Sequence, residues 1–378
     1  MPNNEPVRVA EILGKYIGGG VESFTMNYFK NIDKSKIQFD FICDSDSTDI
    51  PYEQIEKMGG RVILIPPYQK VFKYQKELRR VLREGNYKIV HSHINTLSVF
   101  SLYAAKKAGV PIRIAHSHAT TNKKEFIRNL VKLLLRPFNK MLATNYACCS
   151  ESAGRWMFGN KNYDEKKVVK INNAIEVDKF IYNKKIRDEY RKKLGIKENQ
   201  IVIGHVGRMV KTKNHSFLIN VFLKICSNKD AILLLIGQGP LEVNLKQQVE
   251  SLGIKDRVIF LGQKNDIYNW YQTFDAFVLP SLYEGFGMAL LEAQVSNLPC
   301  IASLDVPDES KLIDDFKFLS LNDSYETWAN SILKLIENNE RKSNKEIIVE
   351  KGYDISNEAK KLTDYYINLI EEEYHADN

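Results

Sequence analysis

The sequence contains no uninterrupted apolar run of 18 residues, so no segment has the pattern of a membrane-spanning helix. Its first residues also lack a basic segment followed by an apolar stretch, the pattern of a secretory signal peptide. We therefore expect a cytoplasmic protein, with peripheral contact to the inner face of the membrane as the further option.

Cysteine is scarce, and the five cysteines are odd in number. None forms a pair with the spacing of a metal site, and most lie in apolar, strand-like segments. This pattern favours buried reduced thiols over disulfides, which suits a reducing compartment. The cysteines are Cys43, Cys148, Cys149, Cys226 and Cys300.

Charge is unevenly distributed along the chain. Residues 1–185 carry 31 lysines and arginines against 18 acidic residues, whereas the remainder carries 23 against 29. A basic first half fits an anionic acceptor or an anionic membrane surface. The alternative is an ordinary solvated basic face. We expect no nucleic-acid partner.

Strand-like runs alternate with helix-length segments, which predicts parallel α/β layers. The 378 residues are long for one domain and comfortable for two. After a polar, basic stretch at 168–194, the alternation restarts at Ile201 with IVIGHVGRM. The predicted strands are Val7–Leu13, Phe39–Cys43, Val62–Ile65, Ile89–Ser92, Ile112–Ala115, Ala143–Cys149, Ile201–Val206, Ala231–Ile236, Val258–Leu261, Ala276–Leu279 and Pro299–Ala302.

The segment LPSLYEGFGMALLEA, residues 279–293, places Glu284 and Glu292 around a Gly-Phe-Gly turn that opens an apolar helix. Eight residues is just over two helical turns, so both carboxylates should lie near one side of a helix that starts soon after Gly285. Free backbone N–H groups at that helix start can bind phosphate or sugar hydroxyls. The two carboxylates could therefore hold the sugar and ribose ends of one nucleotide-sugar.

This Glu-x7-Glu spacing, with Pro280-Ser281 before it and Ala293 after Glu292, resembles the signature of the family-4 retaining glycosyltransferases. Further motifs follow in family order over most of the chain. The resemblance implies the GT-B fold, which has two Rossmann-like domains facing a central cleft and a C-terminal helix that crosses back to the first. It implies an acceptor-binding domain at 1–180 plus the helix 355–378, and a nucleotide-sugar-binding domain at 181–354.

Arg208 and Lys213 follow the strand Ile201–Val206 and resemble the family's Gly-Arg-x4-Lys motif. A departing diphosphate carries about two negative charges, and two positioned cations can neutralise them without a metal. Asn214 stands where the family usually has glycine, and asparagine also tolerates unusual backbone angles. The alternative is a pair of surface cations.

Three glycine-containing loops follow strands and resemble donor-binding loops of the family. Gly19 and Gly20 belong to a Gly-Gly-Gly loop that faces donor phosphate or acceptor in the family, and Gly237 opens a Gly-x-Gly-Pro turn near the nucleotide. Gln263 and Lys264 stand where the family's backbone contacts the base. Glycine in such turns also has purely conformational explanations.

Two histidine pairs end predicted strands, where ligands of open α/β sheets bind. The resemblance makes His118 the catalytic histidine beside the transferred sugar. His116 is the alternative if the family's motif aligns two residues earlier. His93 and His116 are the predicted acceptor-binding residues. Each of these histidines could instead be a satisfied core residue. Neither pair has the spacing of a helix-borne zinc site.

The resemblance also assigns roles around Glu284. This residue would hold hydroxyls of the donor sugar, and Glu292 would bind the ribose hydroxyls. Gly285, Phe286, Gly287 and Met288 would line the sugar and phosphate site. The predicted catalytic set is His118, Arg208, Lys213 and Glu284, with no confident nucleophile. No Asp-x-Asp stands where it could carry a metal, so we expect no metal ion and no cofactor.

Residues 123–140, KKEFIRNLVKLLLRPFNK, form a basic amphipathic pattern with apolar residues at helical spacing. Such a helix could lie on a membrane that bears lipid-linked acceptors. The alternative is a helix that packs its apolar face inward.

The predicted function is retaining, metal-independent transfer of a hexose from a nucleoside-diphosphate sugar, a UDP-sugar, to a glycan or lipid-linked acceptor. The local sequences RIAHSHAT and LPCIAS are similar to those of bacterial capsule and exopolysaccharide transferases. A nucleotide-sugar epimerase of the same architecture and a non-catalytic nucleotide-sugar or glycan binder are the alternatives. Epimerases lack the Glu-x7-Glu segment, and the intact cations and carboxylates disfavour a mere binder.

Overall fold

The computed structural model describes residues 5–119, 126–337 and 340–376. The chain divides into two compact units. Unit 1 is Met1–Ile175 together with Gly352–Asn378, and unit 2 is Glu176–Lys351. The divisions fall at 175/176 and 351/352, where the sequence predicted 180/181 and 354/355.

Unit 1 contains a seven-stranded parallel sheet in the order β3-β2-β1-β4-β5-β6-β7. Sheets of this kind carry helices on their faces, so their strands are buried and mostly apolar. The strands are β1 Val7–Gly14, β2 Ile37–Asp44, β3 Arg61–Ile65, β4 Ile89–Ser92, β5 Ile112–Ser117, β6 Asn145–Cys148 and β7 Val168–Lys170. The helices are α1 Gly20–Asn31, α2 Tyr52–Lys57, α3 Val71–Glu84, α4 Ser98–Ala108, α5 Phe126–Leu142, α6 Glu151–Phe158 and α7 Asn160–Asp164.

The last helix, α16 (Ile355–Ala376), belongs to unit 1 although unit 2 precedes it in sequence. Its apolar side chains, among them Leu362 and Tyr366, are buried in the same core as Phe24 of α1 and Phe39 of β2. Burying each large apolar side chain stabilises the fold by roughly 1.5–3 kcal/mol. The prediction that the C-terminal helix returns to the first domain is confirmed.

Unit 2 contains a six-stranded parallel sheet in the order β10-β9-β8-β11-β12-β13. Its strands are β8 Ile201–Val206, β9 Ala231–Ile236, β10 Val258–Gly262, β11 Ala276–Leu279, β12 Cys300–Ser303 and β13 Phe316–Leu319. Its helices are α8 Val177–Phe180, α9 Lys184–Lys193, α10 His215–Cys226, α11 Glu242–Ser251, α12 Ile267–Tyr271, α13 Met288–Val295, α14 Tyr325–Glu337 and α15 Lys345–Glu350.

Every predicted strand corresponds to an observed one, with ends that shift by up to two residues. Two short strands were missed, β7 and β13, because each is bounded by polar residues and is too short to show a period. Four of the five cysteines are buried in or beside strands, as the sequence predicted for most of them, and Cys226 ends helix α10 and is half-buried. Across the described ranges, no helix is both long and apolar enough to cross a bilayer.

Candidate active site

Two loops at the carboxyl end of the unit 2 sheet lie side by side. Met209, after β8, donates its N–H to the carbonyl of Gln238 at 2.9 Å, and its own carbonyl accepts from Leu241 at 3.1 Å. A Cβ at Gly237 would lie 2.2 Å from the carbonyl oxygen of Gly207, and φ of Gly237 is +128°. Gly237 is therefore required for this loop packing, which is a structural reason for it independent of any ligand.

The loop after β8 carries Lys213 to Glu284, which lies on the loop after β11. The Lys213 Nζ and Glu284 Oε1 atoms are 2.6 Å apart, and Ser281 donates its hydroxyl to the same oxygen at 2.6 Å. Lys213 precedes Asn214, which has a left-handed φ of +57° and caps α10. Asparagine therefore meets the backbone requirement that glycine meets in the family. Arg208 lies exposed at the start of the same loop.

Glu284 lies on the loop before the helix that carries Glu292, as expected for a helix that starts after Gly285. Helix α13 begins at Met288, because Gly287 takes a left-handed φ of +87° that ends the loop. The turn before it is anchored by Phe286, whose ring is buried and whose carbonyl accepts the Ser310 hydroxyl. The turn itself, and not one face of a helix, places Glu284 beside Lys213.

Glu292, in the second turn of α13, accepts a hydrogen bond from the Tyr271 hydroxyl at 2.7 Å. Burial raises the pKa of Glu292 to about 7, while the Tyr271 hydrogen bond and the charge of Lys213 act in the opposite direction. Lys213 thus contacts one carboxylate directly and stabilises the charge of the other. The structure brings three predicted residues together: Lys213, Glu284 and Glu292.

The loop after β10 joins the Gly237 turn through its first residue. The carbonyl of Gly262 accepts the Gly237 N–H at 2.9 Å. Gln263 is exposed, and the ammonium of Lys264 lies over the Trp270 ring, 5.3 Å from its centroid. Lys264 is therefore held by a cation–π contact rather than by the carboxylates near Lys213.

Two buried histidines close enough to Lys213 to feel its charge were not predicted from the sequence. His205 lies on β8 and His215 opens α10, with their rings 4.4 Å apart at a steep angle. Burial lowers the pKa of His205 well below its usual value and that of His215 to about 4, so both rings are neutral. A polar residue inside the apolar strand segment IVIGHV was the available signal for His205.

In unit 1 the four predicted histidines form one buried cluster. His91 Nε2 lies 3.0 Å from His116 Nδ1, and His93 Nδ1 lies 2.9 Å from His118 Nε2. The two pairs form stacked layers, because His91 packs over His93 with centroids 4.2 Å apart and His116 over His118 at 3.9 Å. Neighbouring parallel strands β4 and β5 bring both pairs to the carboxyl end of the sheet, with His91 opposite Ile114 in register.

Glu11 and Tyr366, neither of them predicted, complete this cluster. Glu11 Oε2 lies 2.6 Å from His93 Nε2, and Glu11 Oε1 accepts the Tyr366 hydroxyl at 3.1 Å. The Tyr366 oxygen is also 2.6 Å from His91 Nδ1. Burial raises the pKa of Glu11 well above its usual value and lowers that of His93 to about 3. His116 is wholly enclosed whereas His118 is 8% exposed, which favours His118 as the ligand-facing histidine.

The loop with Gly19 and Gly20 follows β1 and opens α1. Its first turn is already occupied by a carboxylate of the same helix, since Glu22 Oε1 accepts the Ile17 N–H at 3.1 Å. A Cβ at Gly19 would lie 2.9 Å from Glu22 Oε2. The glycine allows this internal contact, and Gly20 has open space around it.

Helix α5 turns apolar side chains outward, contrary to the alternative of inward packing. Leu130 and Phe138 are each 51% exposed, Leu134 is 63% exposed and Met141 is 70% exposed. These four residues share one face at helical spacing. The opposite face is anchored by buried Asn139, which donates to the Thr96 carbonyl at 2.8 Å. Lys123 and Lys124 lie outside the described residues.

Comparison with known proteins gives the class of protein that the sequence motifs predicted, a glycosyltransferase. The chain matches the model of Glycosyltransferase Family 4 over residues 18–179 and that of Glycosyl transferases group 1 over residues 186–353. It is 32% identical to the putative glycosyltransferase EpsF of Bacillus subtilis (strain 168), with 99% of each chain covered. It is 26% identical to the UDP-Gal:alpha-D-GlcNAc-diphosphoundecaprenol alpha-1,3-galactosyltransferase of Escherichia coli, over 96% of this chain and 97% of that protein.

The fold is similar to that of Anabaena HepE in its crystal structure with UDP and glucose, with a TM-score of 0.78 at 17% identity over 96% of this chain and 100% of that one. The predicted GT-B fold is confirmed, and the class is that of glycosyltransferases. The chain belongs to the family-4 glycosyltransferases, of the type that acts in capsule and exopolysaccharide synthesis.

Proposed function

We propose that this glycosyltransferase moves a sugar from a UDP-sugar to a lipid-linked glycan acceptor with retention of anomeric configuration. The observation that carries the proposal is the contact of Lys213 with Glu284, with Glu292 in the field of the same lysine. A cation flanked by two carboxylates, at the carboxyl ends of parallel strands, suits a ligand that joins a diphosphate to two polyhydroxyl groups.

In the proposed reaction, Lys213 and Arg208 neutralise the departing diphosphate while Glu284 holds hydroxyls of the donor sugar. The bond from the anomeric carbon to the phosphate oxygen breaks, and a bond from that carbon to the acceptor oxygen forms on the same face. The acceptor proton passes to the departing phosphate oxygen, so neither glutamate needs to act as a nucleophile. Cations already in place stabilise developing charge without reorganisation.

The choice of UDP and of a lipid-linked acceptor is supported by the relatives. HepE was crystallised with UDP and glucose, and the Escherichia coli relative uses UDP-Gal and a diphosphoundecaprenol-linked GlcNAc. The direct test incubates the full chain with UDP-glucose, UDP-galactose and their N-acetyl forms, each with a GlcNAc-diphosphoundecaprenol acceptor. An α-linked disaccharide-lipid is the expected product. Release of an epimerised nucleotide-sugar without transfer would contradict the proposal.

The reaction should not require a divalent cation. The side chains of Lys213 and Arg208, with free backbone N–H groups, supply the positive charge that a metal supplies elsewhere. We therefore expect initial rates with excess chelator to stay within about twofold of the untreated enzyme, as a cation-pair mechanism requires. If transfer stops with chelator and returns with manganese or magnesium, the cations are insufficient and a metal carries the diphosphate.

The outward apolar face of α5 is proposed to lie on an anionic membrane that holds the acceptor. Burying two side chains of the size of Leu134 and Phe138 in lipid is worth roughly 1.5–3 kcal/mol each. The glutamine substitutions Leu134→Gln and Phe138→Gln together should therefore weaken binding to phosphatidylglycerol vesicles by at least about tenfold. Leu304→Gln in unit 2 is the matched control, since Leu304 is 64% exposed outside this helix.

Binding should also weaken as salt rises, because the basic residues of this helix, among them Arg136 and Lys140, add attraction that salt screens. Vesicle sedimentation at low and high salt measures both effects. If the wild-type protein does not bind anionic vesicles at low ionic strength, this result would exclude the membrane contact and indicate a water-soluble acceptor.

A further inference from the structure

The buried cluster around Glu11 contains two hydrogen-bonded branches that start from one carboxyl group. One branch runs from Glu11 Oε2 to His93 and on to His118, and the other runs from Glu11 Oε1 through Tyr366 to His91 and His116. Every link is between 2.6 and 3.1 Å. Sequence motifs accounted for the histidines, but nothing in the proposed reaction uses Glu11 or Tyr366.

A neutral imidazole has one donor and one acceptor nitrogen, so the state of Glu11 dictates the direction of every bond. As a carboxylate, Glu11 only accepts. His93 then donates from Nε2 and accepts at Nδ1 from His118 Nε2–H. The Nδ1 of His118 is left with a lone pair, and it has no hydrogen-bond partner among residues 5–119, 126–337 and 340–376.

The second branch fixes Glu11 Oε1 as an acceptor, whether or not Oε2 carries a proton. With Glu11 accepting, Tyr366 donates to it and accepts from His91 Nδ1–H, and His91 Nε2 accepts from His116 Nδ1–H. His116 Nε2 then carries only a lone pair, and this atom is buried without a partner in the described part of the chain. The opposite direction would leave a buried N–H there with no acceptor, at a cost of about 1–3 kcal/mol.

We propose that Glu11 is a positioning residue that sets, through His93, whether the outward Nδ1 of His118 accepts or donates a hydrogen bond to the ligand. This inference rests on the proposed function for the identity of that ligand, a sugar hydroxyl. A carboxylate at Glu11 makes His118 Nδ1 an acceptor. A proton added to Glu11 Oε2 moves the chain the other way: Glu11 donates to His93 Nε2, His93 Nδ1–H donates to His118 Nε2, and the outward Nδ1 of His118 gains one proton. Each imidazole gains one proton and loses one, so all stay neutral.

The surroundings suit such a relay because they exclude water and disfavour charged imidazoles. The Phe24 ring packs edge-on against His116 at 5.2 Å and His118 at 5.1 Å between centroids. Burial lowers the pKa of His118 and His116 well below the usual value, so protons pass between neutral rings. Because Tyr366 lies on α16, the C-terminal helix also supplies one of the two donors that hold Glu11.

The first experiment measures the tautomers of the histidines in ligand-free wild-type protein by long-range 15N–1H correlation after selective histidine labelling. We expect His93 and His118 protonated on Nε2 and not on Nδ1 at a pH above the raised pKa of Glu11, where this group is a carboxylate. This measurement needs no sugar transfer, so it succeeds or fails separately from the proposed function. A proton on His118 Nδ1 in the wild type at such a pH would overturn the proposal. So would a stoichiometric metal ion held by His91, His93 and His116, whose ligating nitrogens lie within 4.8 Å of one another.

The second experiment uses Glu11→Gln with Tyr366→Phe as its matched control. Glutamine must offer its amide N–H to one branch. If the amide donated to Tyr366, His116 Nε2 would carry a buried N–H without an acceptor. The amide should therefore face His93, which moves the proton of His118 from Nε2 to Nδ1. We expect the Glu11→Gln protein to show His118 protonated on Nδ1 and to lose at least about tenfold in kcat with little change in donor KM.

Tyr366→Phe removes a hydrogen bond that favours the charged form of Glu11, so it should raise the pKa of Glu11 further while leaving the His93 branch whole. At a pH above that pKa it should keep the wild-type His118 tautomer and a kcat within about twofold of wild type. If both variants change kcat equally while the His118 tautomer stays as in the wild type, Glu11 acts only in folding and the proposal is wrong.

Discussion

Replacing Lys213 by alanine should slow sugar transfer by about a hundredfold, equivalent to roughly 3 kcal/mol of transition-state stabilisation. The lysine lies 2.6 Å from Glu284 on a loop fixed by the carbonyl of Thr212, which accepts the Leu282 N–H at 2.8 Å. Its ammonium is therefore held in a fixed place, where the proposed reaction develops charge on the diphosphate. Arg208→Ala should cause a loss of similar size, because each cation neutralises part of the same leaving group. Single-turnover rates with UDP-sugar measure both losses.

Lys211→Ala is the matched control, since Lys211 is an exposed lysine two residues away on the same loop. It should transfer at close to the wild-type rate. Wild-type activity in a folded Lys213→Ala and Arg208→Ala double variant would contradict the proposal that these two cations neutralise the diphosphate. Part of the Lys213→Ala loss will come from leaving the Glu284 carboxylate with Ser281 as its remaining partner among the residues that the structure describes. Lys213→Ala combined with Glu284→Gln should therefore lose less than the sum of the two.

The unit 2 site was largely predictable because its residues lie on short loops that directly follow apolar strands. Parallel strands bring their carboxyl ends to one edge, so Lys213 after β8 and Glu284 after β11 had to be neighbours once those strands paired. The spacing was interpreted with a helix that starts soon after Gly285, and it did not give the exact first residue. The left-handed Gly287 and the buried Phe286 ring place the start of helix α13 at Met288.

The unit 1 site was only half predictable for a different reason. Histidines at strand ends are visible in sequence, but Glu11 lies inside a strand that otherwise has the pattern of a buried apolar run. Its partner Tyr366 is 355 residues away on α16, and no local pattern links two such positions. Buried polar groups need partners, so Glu11 in the middle of VRVAEILG was itself the signal that a polar network lay behind it. Which residues supplied that network depended on tertiary packing.

Glu292 and Glu284 should contribute differently to donor binding. Glu284→Gln should weaken binding of the nucleotide-sugar but not of free UDP, because Glu284 is proposed to hold the sugar and its removal frees Lys213 from their ion pair. Glu292→Gln should weaken both ligands, because both contain the ribose. Calorimetry with UDP and UDP-glucose separates the two residues. Equal losses for both ligands in both variants would contradict the assignment.

If Glu292 binds the ribose as proposed, its titration should also make donor affinity depend on pH. Burial raises the pKa of Glu292 to about 7, so below that pH the group is mostly a neutral acid and accepts ribose hydroxyl protons poorly. Affinity for UDP-glucose, which has no group titrating near pH 7, should rise from pH 6 to pH 8 by roughly tenfold, as proton linkage requires. Tyr271→Phe removes the 2.7 Å hydrogen bond that favours the charged form, so the pKa of Glu292 rises further and the affinity rise moves to higher pH. Glu292→Gln should abolish the pH dependence, and a profile that stays unchanged in both variants would show that another group controls it.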